Sequence, residues 1–365
     1  MENILRDAHN RSIRDLRISL TDRCNFRCFY CLPNGEPPLA RKDTILTFEE
    51  IARVSEIFVY LGIEKIRLTG GEPMLRKDIG VLIEKLNRLR NAECETRNEK
   101  IEIGDREAET KNKATNPHSA FRIPHLKDLA LTTNGHRFPE RAAELKRAGL
   151  DRVTISLDSL KREKFKKITG VDALENVFDS VAAAQAVGLT PVKINVVVVR
   201  GWNDDEMVDF ARFARERAVA VRFIEFMPLD SSREWRREQI VSGKEIREKI
   251  NQVFPLRLKE KSRGAETAWK YKFADGAAGE IGIVAPVTEA FCGACSRIRL
   301  TADGQIRTCL FSTSEHNLRD VMRAGASRQE IVEFIRDAVL KKEARHQIGD
   351  AKFVQPARTM SFIGG

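Results

Sequence analysis

Six short stretches of alternating polar and apolar residues, each followed by a helical pattern, limit the folds open to this chain of 365 residues more than any other feature. The spacing predicts strands at 16–21, 65–70, 128–133, 152–158, 192–200 and 220–227, with helices such as Phe48 to Leu61 and Ala173 to Val187 between them. Thr47, with Glu50 three residues on, reads as a capping box at the start of the first helix. Strands joined by helical crossovers run parallel, and right-handed crossovers roll such a sheet towards a barrel. Six units are too few for the complete eight-stranded form. The expected fold is therefore α/β, an incomplete (βα)6 TIM-like barrel.

Parallel strands covered by helices usually read as nearly continuous apolar runs. These strands instead have two faces. One carries Ile18 and Leu20, Ile66 and Leu68, Leu129 and Leu131, Val153, Ile155 and Leu157, and Val192, Ile194, Val196 and Val198. The other carries Arg17, Ser19 and Thr21; Arg67 and Thr69; Thr132 and Asn134; Thr154, Ser156 and Asp158; Lys193 and Asn195; and Glu225. With the apolar face packed on helices, the polar face lines the interior and makes a hydrophilic cavity. A sheet with one solvated face is the plainer alternative, and the repeated crossovers argue against it.

After Met227-Pro228 the pattern changes, so the partial barrel is expected over 1–230 and a C-terminal α+β extension over 231–365. There Lys244 to Phe254 and Arg328 to Glu343 read as helices, and 256–310 alternates like an antiparallel sheet. Residues 91–120 are rich in Glu, Lys, Asn and Thr and hold no aromatic residue. Such a stretch cannot bury enough apolar surface to fold alone, and is expected to be a mobile surface insertion. The net charge of +10 calls for an anionic ligand or partner, leaving nucleic acid, lipid and nucleotide phosphate open. No apolar run approaches membrane-spanning length and the polar start is no secretory signal, so a soluble, cytoplasmic protein is expected.

Six of the seven cysteines fall in two spaced sets, and in a chain of this kind that favours metal binding over disulfides. Cys24, Cys28 and Cys31 follow the first strand as C-x3-C-x2-C. Three thiolates hold three irons of a cubane cluster and leave the fourth open, whereas zinc usually wants four ligands and none follows Cys31 nearby. Leu68-Thr69-Gly70-Gly71-Glu72-Pro73 ends the second strand, where two glycines let a ligand approach the backbone. Cys292, Cys295 and Cys309 again supply three thiolates. They suit either a second cluster with an open iron or a zinc site completed by a distant histidine, His316 being nearest in sequence. Arg297 and Arg299 share one strand face beside them and suit an anionic substrate. Cys94, alone in the polar stretch, reads as incidental.

Joined to the Gly-Gly turn, the first cysteine loop resembles the radical S-adenosylmethionine (radical SAM) superfamily. With F-C-x2-C-S-R-x-R-L, a further cysteine after thirteen intervening residues and a Gly-Gly terminus, the chain resembles the GTP 3′,8-cyclases of molybdenum cofactor biosynthesis, the MoaA family. The resemblance covers 13–90, about 122–230, 287–312 and the last two residues; the insertion departs from it. It implies two [4Fe-4S] clusters, with Cys24, Cys28 and Cys31 holding the one that cleaves S-adenosylmethionine. Tyr30, Gly71, Ser156 and Met227 would touch that cofactor. Cys292, Cys295 and Cys309 would hold the other, whose open iron meets guanine. Arg17, Arg67, Thr132, Lys193, Arg297 and Arg299 would bind GTP, with Arg17, Arg297 and Arg299 taken as catalytic.

The implied enzyme is a lyase needing an external electron donor, acting as monomer or homodimer, with cyclic pyranopterin monophosphate synthase as the next enzyme and the Gly-Gly tail reaching into the cavity. Arg17, Arg67, Thr132, Ser156 and Lys193 stand independently on the inward face, although Lys193 begins its strand and barrel sites favour the other end. Two rivals remain. A peptide maturase of the same superfamily is opposed by Arg297-Ile298-Arg299 and the terminal glycines. A metal-stabilised nucleic-acid-binding protein would want clustered aromatic residues, and the three tyrosines and three tryptophans are scattered. Neither nucleic acid nor membrane is therefore expected as a partner.

Overall fold

β-Branched and leucine side chains on one face of each short strand leave a ribbon that is stable only under a helical cover. The computed structural model, which describes residues 4–32, 39–90, 125–230 and 233–364, builds that arrangement six times. In chain order the first part runs β1 (Asp15–Ser19), α1 (Phe48–Tyr60), β2 (Lys65–Thr69), α2 (Ile79–Asn87), β3 (Asp128–Thr133), α3 (Ala142–Arg147), β4 (Arg152–Ser156), α4 (Arg162–Thr169), α5 (Leu174–Ala186), β5 (Lys193–Val198), α6 (Met207–Arg217) and β6 (Ala220–Glu225). These six strands lie side by side in sequence order, all parallel. Leu16, Ile66, Leu131, Ile155, Ile194 and Phe223 point at the helices and are fully buried. Thr47 and Glu50 form the capping box expected of them, so α1 starts where its sequence says. The insertion 91–120, Cys94 and Gly365 lie outside the described residues.

The rest of the chain is α7 (Gly243–Val253), β7 (Leu256–Leu258), β8 (Trp269–Phe273), β9 (Glu280–Val284), β10 (Arg297–Leu300), β11 (Gln305–Arg307), β12 (His316–Asn317), α8 (Leu318–Arg323), α9 (Arg328–Leu340) and α10 (Met360–Ile363). Its strands do not form the single antiparallel sheet expected over 256–310. They split into two antiparallel ribbons, β7-β8-β9 and β10-β11-β12, which extend opposite ends of the barrel sheet. β9 joins β6 and β10 joins β1, both in parallel, with Arg17 opposite Arg299. The sheet therefore runs without a break across position 230 and remains open, its order β12-β11-β10-β1-β2-β3-β4-β5-β6-β9-β8-β7.

One side chain departs from the expected inward face. Arg222 and Ile224 turn to the cavity, so Glu225 turns to the helices. There it is fully buried, and accepts hydrogen bonds from the backbone N–H groups of Gly243 (2.8 Å), Val287 (2.9 Å) and Thr288 (2.9 Å) and from the Thr288 hydroxyl. It ties β6 to the C-terminal part and takes no share in the cavity.

Candidate active site

One cavity of about 310 Å³ opens inside the sheet, a size within the range of small-molecule sites. All six cysteines of the two sets line it. Cys24 follows β1, at the end where the parallel strands finish; Cys292 and Cys295 precede β10, at the end where they begin. The two triads thus face each other along the strands, with Arg17, Arg67, Arg297 and Arg299 on the wall between them.

The first loop is held from several sides. The N–H groups of Arg27 and Phe29 donate to the carbonyls of Thr169 (2.7 Å) and Ile168 (3.1 Å) at the end of α4, and Cys31 N–H donates to Cys28 O at 2.9 Å. Tyr30 Oη donates to Asp158 Oδ2 at 2.5 Å, while Asp158 Oδ1 accepts from Val197 N–H at 2.8 Å. Burial lifts Asp158 to about 6 against those two bonds. Burial also pushes the Cys24 thiol to about 11 and Cys31 to about 12, so metal binding here must displace protons.

The Gly-Gly turn has a structural reason beyond ligand access. Gly71 N–H donates to Thr21 O at 2.6 Å, and a Cβ on Gly71 would stand 2.1 Å from the carbonyl oxygen of Arg23. The segment leading into Cys24 occupies the space a side chain would need. Glu72 then accepts from Met74 N–H, Thr133 Oγ1 and Asn134 N–H at 2.7–2.9 Å, and burial lifts it to about 7.

In the second set, Arg297 Nη2 donates to Cys295 Sγ at 3.2 Å. Burial would raise that thiol, but Arg297 and Lys342 overcome it and bring it to about 7. Arg299 donates to the carbonyl of Gly364, whose neighbours Ser361 and Met360 also line the cavity, so the described end of the tail sits in the site.

The cations between the triads are crowded and buried. Burial lowers Arg17 well below the usual arginine range, reinforced by Arg299 and Arg67. Burial and then Arg222 and Arg152 lower Arg67 to about 10; burial and Arg297 lower Arg299 to about 9. Arg67 donates to Thr154 Oγ1 at 2.9 Å and to Thr132 Oγ1 at 3.3 Å. Lys193 falls to about 6, through burial and the charges of Arg222, Arg152 and Arg67. Such mutual repulsion is relieved by a bound polyanion.

Tyr30, Gly71, Thr132, Ser156 and Met227 also line the cavity. Lys193 does not; it stands beside the arginines at the strand start, on the side of the second triad. His316 lies in β12, away from the cavity wall, and is not placed to complete a zinc site. Among the described residues no three of the Cys, His, Asp and Glu side chains are grouped as the shell of one ion. Three half-buried thiols on each of two walls, without carboxylate or imidazole completing them, form a donor set that fits iron–sulfur clusters. Arg222, Lys342 and His346 line the cavity without having been singled out in the sequence. Strand alternation could have found Arg222. Lys342 and His346 follow α9 and carry no pattern.

Residues 18–214 match the radical SAM superfamily, and residues 219–348 match the Molybdenum Cofactor Synthesis C family. The GTP 3′,8-cyclase of Syntrophomonas wolfei is 39% identical over 359 residues, covering 98% of this chain and 99% of that one. That of Streptomyces coelicolor is 40% identical over 365 residues, covering 100% and 97%. Among solved structures, Streptococcus suis SuiB bound to S-adenosylmethionine shares the fold with a TM-score of 0.58 at 12% identity, covering 96% of this chain and 77% of that one.

Proposed function

The chain belongs to the radical SAM superfamily and, within it, to the GTP 3′,8-cyclases, and from that premise we propose how its cavity carries out the reaction. The overall conversion takes GTP to 3′,8-cyclo-7,8-dihydro-GTP, beginning with loss of the C3′ hydrogen to a 5′-deoxyadenosyl radical. It is the first step of molybdenum cofactor biosynthesis. As a net ring closure it falls in the lyase class. The observation that carries the reading is the placing of two cysteine triads on opposite walls of one cavity, with buried arginines between.

Cys24, Cys28 and Cys31 would hold a [4Fe-4S] cluster, which when bound supplies the electron that opens S-adenosylmethionine to the radical. Tyr30, Gly71, Ser156 and Met227 keep that cofactor against the end of the barrel where β1 and β2 finish. Cys292, Cys295 and Cys309 would hold a second cluster at the guanine. Arg67, Thr132 and Lys193, with Arg222 on the cavity wall and Arg152 behind it, take the triphosphate. Arg17, Arg297 and Arg299 close on the nucleotide nearest the reacting carbons.

A primary alkyl radical reacts with whatever lies close to it, so the chain's work is positioning and exclusion of water. Fastening both ends of GTP brings C3′ within reach of one triad's cofactor. Because the strand starts and strand ends both line the cavity, Lys193 at a strand start is no obstacle to this. An external one-electron donor and a downstream enzyme that consumes the cyclised nucleotide complete the reading.

The test is anaerobic reconstitution with dithionite and S-adenosylmethionine, following 5′-deoxyadenosine with and without GTP. Deoxyadenosine formation should rise with GTP and carry deuterium from GTP labelled at C3′. Formation indifferent to GTP would remove the substrate and leave the radical chemistry.

A further inference from the structure

The backbone around the second cysteine set is gripped by two buried cations that come from distant parts of the chain, at Cys292 itself and at the neighbours of Cys295 and Cys309. Arg11, in the N-terminal segment before β1, is 8% exposed and pairs with the buried Asp7 at 2.6 Å. Its Nη1 donates to the carbonyl of Cys292 at 2.8 Å and to that of Ala344 at 2.9 Å, and its Nη2 donates to Glu343 O at 2.6 Å. Lys342 is 4% exposed. Its Nζ donates to the carbonyl of Arg297 at 3.0 Å and to the carbonyl of Thr308, the residue before Cys309.

The two grips differ in their charge balance. Arg11 faces a carboxylate, so its charge is met. Both hydrogen bonds of the Lys342 ammonium go to neutral carbonyls, and among the described residues no carboxylate forms an ion pair with it. A buried ammonium so placed is costly unless an anion stands beside it. Lys342 lines the cavity wall together with Cys295 and Cys309. Three thiolates on a cluster supply the missing anion.

We propose that Lys342 is a positioning residue of the second cysteine site, holding the backbone at Arg297 and Thr308 and balancing the charge of a cluster bound there, with Arg11 fixing Cys292 in the same way. This rests on the reading of Cys292, Cys295 and Cys309 as cluster ligands. Removing the ammonium loosens two of the three ligand-bearing segments together. It also leaves any cluster that still forms without its nearest positive charge, which makes that cluster harder to reduce.

The experiment measures iron, acid-labile sulfide and the redox-titrated EPR spectrum of the full chain, reconstituted anaerobically. The unsubstituted chain should carry about eight irons, in two four-iron clusters. Lys342→Met should carry about four, with the EPR signal that responds to S-adenosylmethionine retained. If iron is kept, the second cluster's reduction potential should move to more negative values. Unchanged iron together with an unchanged potential overturns the proposal. Should Lys342→Met fail to give a cooperative melt as metal-free protein, Arg11→Lys decides. It keeps the charge beside Asp7 but lacks the fork that reaches the Cys292 carbonyl, and it should also lose second-site iron; full retention there overturns the proposal. An unsubstituted chain with only about four irons would end the two-cluster reading itself, and the inference with it, before any substitution is made.

Discussion

Arg67 illustrates how a single side chain is prepared for its ligand. It is held by two threonine hydroxyls and surrounded by cations, with no carboxylate in hydrogen-bond contact among the described residues. Replacing it with Met removes a charge-assisted contact worth about 1.5–3 kcal/mol, so GTP should bind roughly ten- to a hundredfold more weakly by equilibrium dialysis. Unaltered affinity would place the triphosphate elsewhere. Lys193 makes a prediction in pH. Its folded value lies near 6, below the ordinary lysine value, so at neutral pH the substrate-free lysine is mostly uncharged. A triphosphate beside it raises that value, so binding takes up a proton and weakens as pH rises above about 6. Calorimetry in two buffers of different ionisation heat should reveal the uptake in the unsubstituted chain, and Lys193→Met should abolish it. The same uptake in both proteins would assign the proton to another group.

At the scale of elements, the strands and their two faces were legible because a period of two is written into each one. Arg17, Arg67, Thr132 and Ser156 could be placed inward from that period alone. Glu225 could not, because Ile224 puts an apolar residue on the cavity face of β6 and hides its phase. Lys342 and Arg11 could not either: each looks like an ordinary surface charge until a remote segment packs over it. The Gly-Gly turn was legible as a turn, but its cause was not, since the space Gly71 leaves is filled by the backbone before Cys24. Gly71→Ala must displace that backbone. It should lower stability by about 1–3 kcal/mol in denaturant unfolding and reduce iron at the first site. Normal stability with a full first site would mean that the loop yields without strain.

Taken whole, the molecule is less divisible than its sequence suggests. Local patterns mark a change at 230, but pairing between strands far apart in sequence leaves no local trace, and β9 and β10 cover the two edges that β6 and β1 would otherwise expose. A fragment of residues 1–230 should therefore aggregate through those edges, seen as high-mass species in size-exclusion chromatography. A soluble monomeric fragment that binds iron would show the barrel to be an independent unit. Among the described residues no helix is long and apolar enough to cross a membrane.

The pairing of Asp15 with Arg297 also sets a timetable. β2 to β4 and the support of the first cysteine loop at Ile168 and Thr169 come from the first half of the chain and can be present while synthesis continues. β1 gains its second neighbour, and Cys292 its tether to Arg11, only when nearly the whole polypeptide has emerged. The chain's beginning is thus kept waiting for its end, and the strand pairing leaves the support of the first cysteine loop free to form before that of the second.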